Sequence, residues 1–426
     1  MTETLFYLFI AIGVINMAHV GLYIGGANVY DMWQLRRRSA SKTAPRRRTK
    51  RPLLTVIVPA HNEELVIERC LDSIRRNTYR KVEVIVHNDV SSDGTARLVR
   101  GYAKRYPKFS LRLVNRRKRS GKAGGMNYCT RHHVKGDLVM ALDADCILQR
   151  NAIKRTVDYF DDPKIVGVAA NVRLLDERTI LGILQRFEHL IGYRAKKFYT
   201  MTNSEFIVGG VASTYRREIL QKVGYYDTDT TTEDIGLSMK IVALGNRDHR
   251  IVYASDVVAM TEGAHGFRAL FKQRYRWKMG GLQNLLKHAY LIGKVQNGRY
   301  TRSLTWYRMP MAFVSEVMLL VQPVVLTYVV ILSLQAHTLN MFFGAYILLT
   351  LYTLWTILPD EHSTWQSKLS MAAYAPILYF LFYIMDLIQV VSLVRCLAHP
   401  RQLARRIKHD ATWISPERLG QQVKFS

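Results

Sequence analysis

Between Leu53 and Leu142, short β-branched apolar runs alternate with stretches of helical spacing. Leu53–Pro59, Val82–Val86, Leu111–Val114 and Leu138–Leu142 read as buried strands. Glu63–Arg76, Asp93–Tyr106 and Gly121–His132 read as the helices between them. In the first helix Val66, Ile67, Cys70, Leu71 and Ile74 share one face. Parallel neighbours need a long return connection, so this alternation specifies a parallel sheet with crossover helices. It also says where a ligand binds, because in such sheets the open crevice lies beyond the carboxyl ends of the strands.

The polar residues collect at those ends. His61-Asn62-Glu63-Glu64 follows the first strand, Asn88-Asp89-Val90-Ser91-Ser92-Asp93-Gly94 the second, and Asp143-Ala144-Asp145 the fourth. No GxGxxG opens the first helix, which argues against a dinucleotide dehydrogenase. Asp143 and Asp145 flank a small residue, so both carboxylates can reach one hard cation that keeps positions open for phosphate oxygens. A turn with two solvated Asp has the same spelling. Arg119-Ser120-Gly121-Lys122-Ala123-Gly124-Gly125 is a basic, Gly-rich entry to a helix whose N–H groups, with Lys122, suit a diphosphate. Arg116-Arg117-Lys118 before it reads as solvent-facing charge. Thr232-Glu233-Asp234 precedes the helical run Ile235–Ala243. Asp234 there either takes a proton from a hydroxyl or caps the helix. Asp227 and Asp229 read as loop residues.

The ends of the chain differ in kind. Leu5–Val29 holds no Lys, Arg, Asp or Glu and exceeds the roughly 20 residues a membrane span needs. It has no basic n-region and no small-residue cleavage site, so it reads as an anchor. Met309–Leu334, Leu339–Leu358 and Met371–Val394 are three further candidate spans. Glu316 and Asp386 lie within two of them and are expected to face protein or a polar passage. The chain carries 61 Lys+Arg against 33 Asp+Glu, a net +28. No nucleic-acid-reading motif accompanies that charge, and the apolar segments assign it to an anionic membrane face. Arg36-Arg37-Arg38 and the basic run Arg46–Arg51 place the middle domain in the cytosol, with Ser39–Pro45 as a flexible linker. Three later crossings would leave the tail outside, whereas Arg395, Arg401, Arg405, Arg406 and Lys408 argue for inside. An inside tail, with one segment re-entrant or interfacial, is the preferred reading. Cys70, Cys129, Cys146 and Cys396 show no zinc spacing and read as free thiols.

Gly266–Tyr290 is amphipathic and reads as an interfacial helix pair. It carries Gln273-Arg274-Tyr275-Arg276-Trp277, where Arg276 can bind diphosphate and Trp277 can stack on a sugar, or both can anchor the helix in the membrane. The resulting division is an anchor at 1–35, a basic linker at 36–52, the main domain at 53–260, interfacial helices at 261–300, membrane helices at 301–396 and a basic tail at 397–426.

Three separated Asp sites followed by Q-x-x-R-W, here Asp89, then Asp143 and Asp145, then Asp234, then Gln273, Arg276 and Trp277, resemble the processive family-2 glycosyltransferases. These are the cellulose, chitin, hyaluronan and poly-N-acetylglucosamine synthases, and the resemblance covers about Leu53 to Leu282 plus the membrane layout. It implies a GT-A fold, an α/β domain with a Rossmann-like mixed sheet, joined to α-helical transmembrane and interfacial helices. It implies that Asp89 and Glu63 contact uridine and that Lys122 and Asp143 hold UDP. Asp145, with Asp143, would take Mg2+ or Mn2+. Asp234, beside Glu233, would be the base, while Gln273, Arg276 and Trp277 grip pyrophosphate and acceptor. Phe206–Gly210, with Gly209 and Gly210, matches the acceptor-end loop. His61 stands where the family often has Tyr, and can still stack on uracil. Thr232-Glu233-Asp234, Gly280-Gly281 and the compact length look most like the bacterial poly-N-acetylglucosamine enzymes. The expected activity is inverting, processive transfer from UDP-N-acetylglucosamine at the cell membrane, with the polysaccharide exported. Expected partners are the UDP-sugar, the growing chain, anionic lipids and a small membrane subunit, without nucleic acid. Alternatives are a β-glucan synthase using UDP-glucose, a non-processive enzyme acting on a lipid acceptor, and an inert membrane scaffold.

Overall fold

The computed structural model describes residues 2–43, 51–175, 179–295, 298–335, 339–404 and Gly420. The strands are β1 (Leu54–Ala60), β2 (Val82–Asn88), β3 (Leu111–Asn115), β4 (Leu138–Ala141), β5 (Ile147–Leu148), β6 (Ile165–Leu174), β7 (Ser213–Arg216) and β8 (Arg250–Thr261). The helices are α1 (Thr2–Thr43), α2 (Ile67–Arg75), α3 (Thr95–Arg105), α4 (Gly121–His132), α5 (Ala152–Tyr159), α6 (Ile180–Met201), α7 (Arg217–Lys222), α8 (Glu233–Ala243), α9 (Phe267–Lys287), α10 (Met309–Gln335), α11 (Leu339–Ile357), α12 (Trp365–Leu397) and α13 (Pro400–Ala404).

One sheet runs β3-β2-β1-β4-β7-β6-β8-β5. Its first four strands are parallel, as the alternation requires. The side chains divide with period two: Leu54, Val56, Val58 and Ala60 enter one core while Ile57 enters the other. Both faces are covered, which explains why β1 is wholly buried and, Thr55 apart, apolar. The second half of the sheet is mixed. β7 is antiparallel to β4 and β6, β8 is parallel to β6, and β5 is antiparallel to β8. Ala141 pairs with Ser213, so the loop entering β7 arrives at the carboxyl end of β4. That reversal brings residues 209–212 to the same crevice as Asp143.

Three elements differ from the sequence expectation. The first helix begins at Ile67 rather than Glu63, because Asn62 takes φ 57° and Glu63 closes a turn by accepting from the Val66 and Ile67 N–H groups. α1 continues through Thr43, so most of the expected Ser39–Pro45 linker is helical; Ala44 and Pro45 lie outside the described residues. The expected helix pair at Gly266–Tyr290 is a single α9 followed by a short 3-10 turn at Ala289–Leu291. No proline interrupts it, and of its two glycines Gly280 is the one in close packing, against Thr232.

The second half of α1 is docked on the sheet domain. Tyr30 is fully buried; its hydroxyl donates to the Tyr253 carbonyl at 2.8 Å and accepts from the Ser255 N–H at 3.1 Å. Asp31 pairs with Lys197 of α6 at 2.6 Å, and Arg37 lies 3.5 Å from the Tyr159 ring centroid. A Cβ on Gly26 would come within 2.3 Å of Phe198 Cδ2, so α1 meets α6 backbone-close there.

Among the described residues, two helical stretches are long and apolar enough to cross a membrane, Ser303–Val325 and Phe380–Leu397; Tyr346–Ile357 is a shorter apolar helix. Glu316 is half-buried and bonded to Lys278 of α9 at 2.8 and 3.0 Å, so it faces protein. α12 follows the domain surface. Met371, Leu378 and Met385 pack on Ile183, Leu184 and Phe187 of α6 and on Leu270 of α9. Leu393 and Cys396 pack on Met279 and Leu282 of α9. Before α12, Asp360 takes a bidentate bond from Arg173 at 2.9 and 2.8 Å. Beyond it, the Gln402 carbonyl accepts from Gln283 Nε2 at 2.9 Å.

Candidate active site

Asp89 stands directly after β2 and is fully buried. Its Oδ1 accepts from the Ser120 N–H at 2.8 Å and the Ser120 hydroxyl at 3.0 Å, and its Oδ2 from the Gly121 N–H at 3.0 Å. The carboxylate therefore holds the first turn of α4, whose N–H groups have no partners within the helix. Gly121 supplies φ 68° at the entry. His61 Nδ1 donates to the Asp89 carbonyl at 3.0 Å and His61 Nε2 accepts from Arg119 at 2.8 Å. Glu63 is buried beside this group, and its N–H donates to Thr95 Oγ1 at 2.9 Å. Residues expected from three separate motifs thus form one wall of the crevice. The difference from expectation is in Asp89, whose two oxygens are engaged with protein.

Lys122, one residue into α4, reaches the β4 end. Its Nζ lies 2.5 Å from Asp143 and 3.7 Å from Glu233. Burial alone would lower its pKa; Asp143, Glu233 and Asp234 reverse this and hold it above the usual lysine value. It stays charged. Asp145 is buried and accepts from the Thr261 hydroxyl at 2.8 Å. Asp143, Asp145 and Cys146 bring ligand atoms within 4.8 Å of one another. Burial, then Asp145 and Asp143, push the Cys146 thiol well up, so it is a protonated bystander and the donors are carboxylate oxygens. That set fits a hard divalent cation rather than zinc.

Asp234 opens α8 from the opposite wall. It does not cap the helix as an acceptor from the third turn residue; its Oδ1 meets the Ile235 N–H at 2.9 Å. Burial, and then Glu233 beside it, push its carboxyl up to about 6, against the pull of Lys122. A carboxylate so placed is ionised at neutral pH and still basic enough to take a proton. Gly210 faces it: a Cβ there would lie 3.0 Å from Lys122 Nζ and 3.3 Å from Asp234 Oδ2. Gly209 is exposed beside it. Lys122, Asp143, Glu233, Asp234 and Gly210 are therefore brought together from four separated stretches.

α9 closes the site. A Cβ on Gly280 would meet Thr232 Oγ1, Cγ2 and N at 2.4, 2.6 and 2.7 Å, so only glycine permits this approach. Asn284 Nδ2 donates to the Thr232 carbonyl at 3.0 Å, and Gln283 Oε1 accepts from the Thr231 N–H at 3.1 Å. Gln273 and Trp277 lie further toward the helix start; Trp277 is 39% exposed and Arg276 is exposed. Sequence reasoning missed Gln283, Asn284, and the pair formed by Arg274 with Glu188 of α6. A signal existed for Asn284, because positions 273, 277, 280 and 284 share a helical face.

The model of the family described as "Glycosyltransferase like family 2" matches residues 51–280. A poly-beta-1,6-N-acetyl-D-glucosamine synthase of Staphylococcus epidermidis is 26% identical over 382 residues, covering 86% of this chain and 87% of that protein. The synthase of the same name from Staphylococcus aureus (strain COL) is 32% identical over 246 residues, 57% of this chain and 58% of that one. Among solved structures, a mannosyltransferase from Pyrobaculum calidifontis, in complex with GDP-Man and Mn2+, aligns with a TM-score of 0.57 at 23% identity. It covers 89% of this chain and 96% of its own, and shows the shared GT-A fold. The match spans every strand of the sheet, both acidic strand ends and the start of α9, and the chain belongs to glycosyltransferase family 2.

Proposed function

We propose that this glycosyltransferase polymerises N-acetylglucosamine from UDP-N-acetylglucosamine into a β-linked chain at a membrane. The observation that carries the reading is Asp234, held near pKa 6 against Lys122 and Gly210, under a helix docked on Thr232. The relatives named as poly-β-1,6-N-acetylglucosamine synthases, one matching along 86% of the chain, supply the sugar. In the proposed reaction the acceptor hydroxyl gives its proton to Asp234 as its oxygen bonds the anomeric carbon. The bond from that carbon to the diphosphate breaks on the opposite face, so configuration inverts and UDP leaves. Lys122 and the α4 entry held by Asp89 receive the diphosphate; His61 and Glu63 border the base. Mg2+ or Mn2+ on Asp143 and Asp145 would neutralise charge on the leaving diphosphate. Trp277 offers an aromatic face to the acceptor sugar, and Gly209 and Gly210 leave room for it beside Asp234.

The membrane part of the reading rests on α10–α12. α11 packs on α12 and touches α6, and it leaves Phe343, Ile347, Leu348 and Leu351 exposed. α12 keeps both ends on the sheet domain through Asp360 and Gln402. A helix so tethered lies along the interface, with Pro400–Ala404 on the domain's side.

The test is incubation of membranes holding the full chain with UDP-N-acetylglucosamine and Mg2+. The expected result is UDP release with a ladder of lengthening products. Products of only one or two sugars would overturn processivity, and turnover of UDP-glucose instead would overturn the donor.

A further inference from the structure

Arg274 is the largest fully buried side chain among the described residues, yet no motif assigns it a task. A buried guanidinium is stable only with its donors satisfied. Here Nε donates to Glu188 Oε1 at 3.2 Å, Nη2 to Glu188 Oε2, and Nη1 to Gln273 Oε1 at 2.6 Å. Its Cζ also lies 4.2 Å from the centroid of the Trp277 ring. Glu188 is itself within electrostatic reach of His189 and Asp386, so Arg274 is the cation that satisfies this acidic corner.

We infer that Arg274 is the positioning residue that sets Gln273 and Trp277, with Glu188 as its brace; this rests on the reading of α9 as the acceptor-binding helix. Guanidinium has donors only, so it takes the Gln273 carbonyl and turns the amide N–H2 outward as a donor. The planar group covers one face of the Trp277 indole and leaves the ring, 39% exposed, to stack with its other face. An ion pair that merely joined α6 to α9 would need Glu188 alone. The added contacts to Gln273 and Trp277 link that pair to the aromatic face offered to the acceptor and to the amide one helical turn before it. Lysine can keep the pair but cannot reach all three groups, because it lacks the flat fork.

The test uses the full chain in membranes, with UDP-N-acetylglucosamine, Mg2+ and a short β-linked N-acetylglucosamine oligosaccharide as acceptor. In Arg274→Lys the acceptor KM is expected to rise about 10-fold while the donor KM stays within about 2-fold, with the thermal midpoint in detergent lowered only by the hydrogen bonds lysine cannot make. Glu188→Gln moves the acceptor KM the same way by less, since its amide oxygen still accepts. Trp277 emission, taken as wild type minus Trp277→Phe, shifts to the red in Arg274→Lys whether or not the enzyme turns over. Unchanged acceptor KM and unchanged emission overturn the inference. So does a joint loss of donor and acceptor binding with a lowered midpoint, which marks a structural brace only. A wild type that releases no UDP overturns the functional reading itself, whatever the emission shows.

Discussion

In the proposed reaction Asp234 owes its role as base to its surroundings. Burial and Glu233 raise its carboxyl to about 6, so proton acceptance is switched on as pH rises through that value. The rate should therefore climb with unit slope below about pH 6 and level off above it, read from log kcat/KM against pH. The stability effect has the opposite sign. A folded-state pKa raised above the unfolded value gives a contribution that is complete below the unfolded pKa, 3.8, and lost as pH rises through about 6. Asp234→Asn should thus cut transfer about 100-fold or more, yet match or exceed wild-type stability at pH 7.5, by about 1–3 kcal/mol, with no advantage below pH 4. Thermal unfolding in detergent at the two pH values checks this. Asp89 acts through the backbone. Asp89→Asn keeps one acceptor oxygen for Ser120 but turns an amide N–H2 toward the Gly121 N–H, setting donor against donor. It should cost about 1–3 kcal/mol and raise the donor KM by loosening the α4 entry; unfolding midpoints and UDP-sugar titration decide it. The acidic residues were legible as a class because they follow apolar runs. That Asp89 engages protein with both oxygens was not, since the Ser120 and Gly121 N–H groups meet it only after β2 and α4 pack.

Between elements, the decisive contact is α9 on the start of α8. Gly280 and Gly281 are adjacent in sequence and opposite in consequence. A Cβ on Gly280 meets Thr232, including its backbone N at 2.7 Å, while one on Gly281 meets nothing within 4 Å. Gly280→Ala must push α9 away from Thr232-Glu233-Asp234, with loss of about 1–3 kcal/mol and most of the activity. Gly281→Ala should be neutral or slightly stabilising, since alanine is the better helix former. A side-by-side assay of both variants tests the packing, and equal effects would refute it. The β1–β4 half of the sheet was readable because it alternates strand and helix at regular length. The β5–β8 half was not assigned: β5 has two residues, and β8 carries a register irregularity opposite Ala170 and Asn171. A two-residue strand has no period to detect.

Across the whole molecule, charge and hydropathy prescribe a membrane face but not a path through it. In the proposed membrane arrangement the number of crossings depends on α12, whose composition suits a span and whose two flanks are both bonded to the sheet domain. The expected outcome is that an impermeant maleimide labels Gln335→Cys in intact cells, and Arg401→Cys only after permeabilisation. The four native cysteines are buried and leave little background. Labelling of Arg401→Cys in intact cells would instead make α12 a crossing. α1 teaches the same lesson. Leu5–Val29 looks like one span, but Ala27 and Tyr30 are buried against the sheet domain, leaving Thr2–Ala18, about 25 Å of helix, to extend beyond it.

By itself, the sequence determined the family, the parallel half of the sheet, and which acidic and basic residues stand at the strand ends and in what order along the chain. These are set by local period and by residue type, which need no knowledge of distant neighbours. Only the tertiary structure decided that Asp89 clamps α4, that Arg274 rather than Arg276 is the buried cation of α9, and that α12 returns to the domain. Each depends on which surfaces meet across the fold, because hydrogen bonds, buried charge and close glycine contacts are properties of pairs.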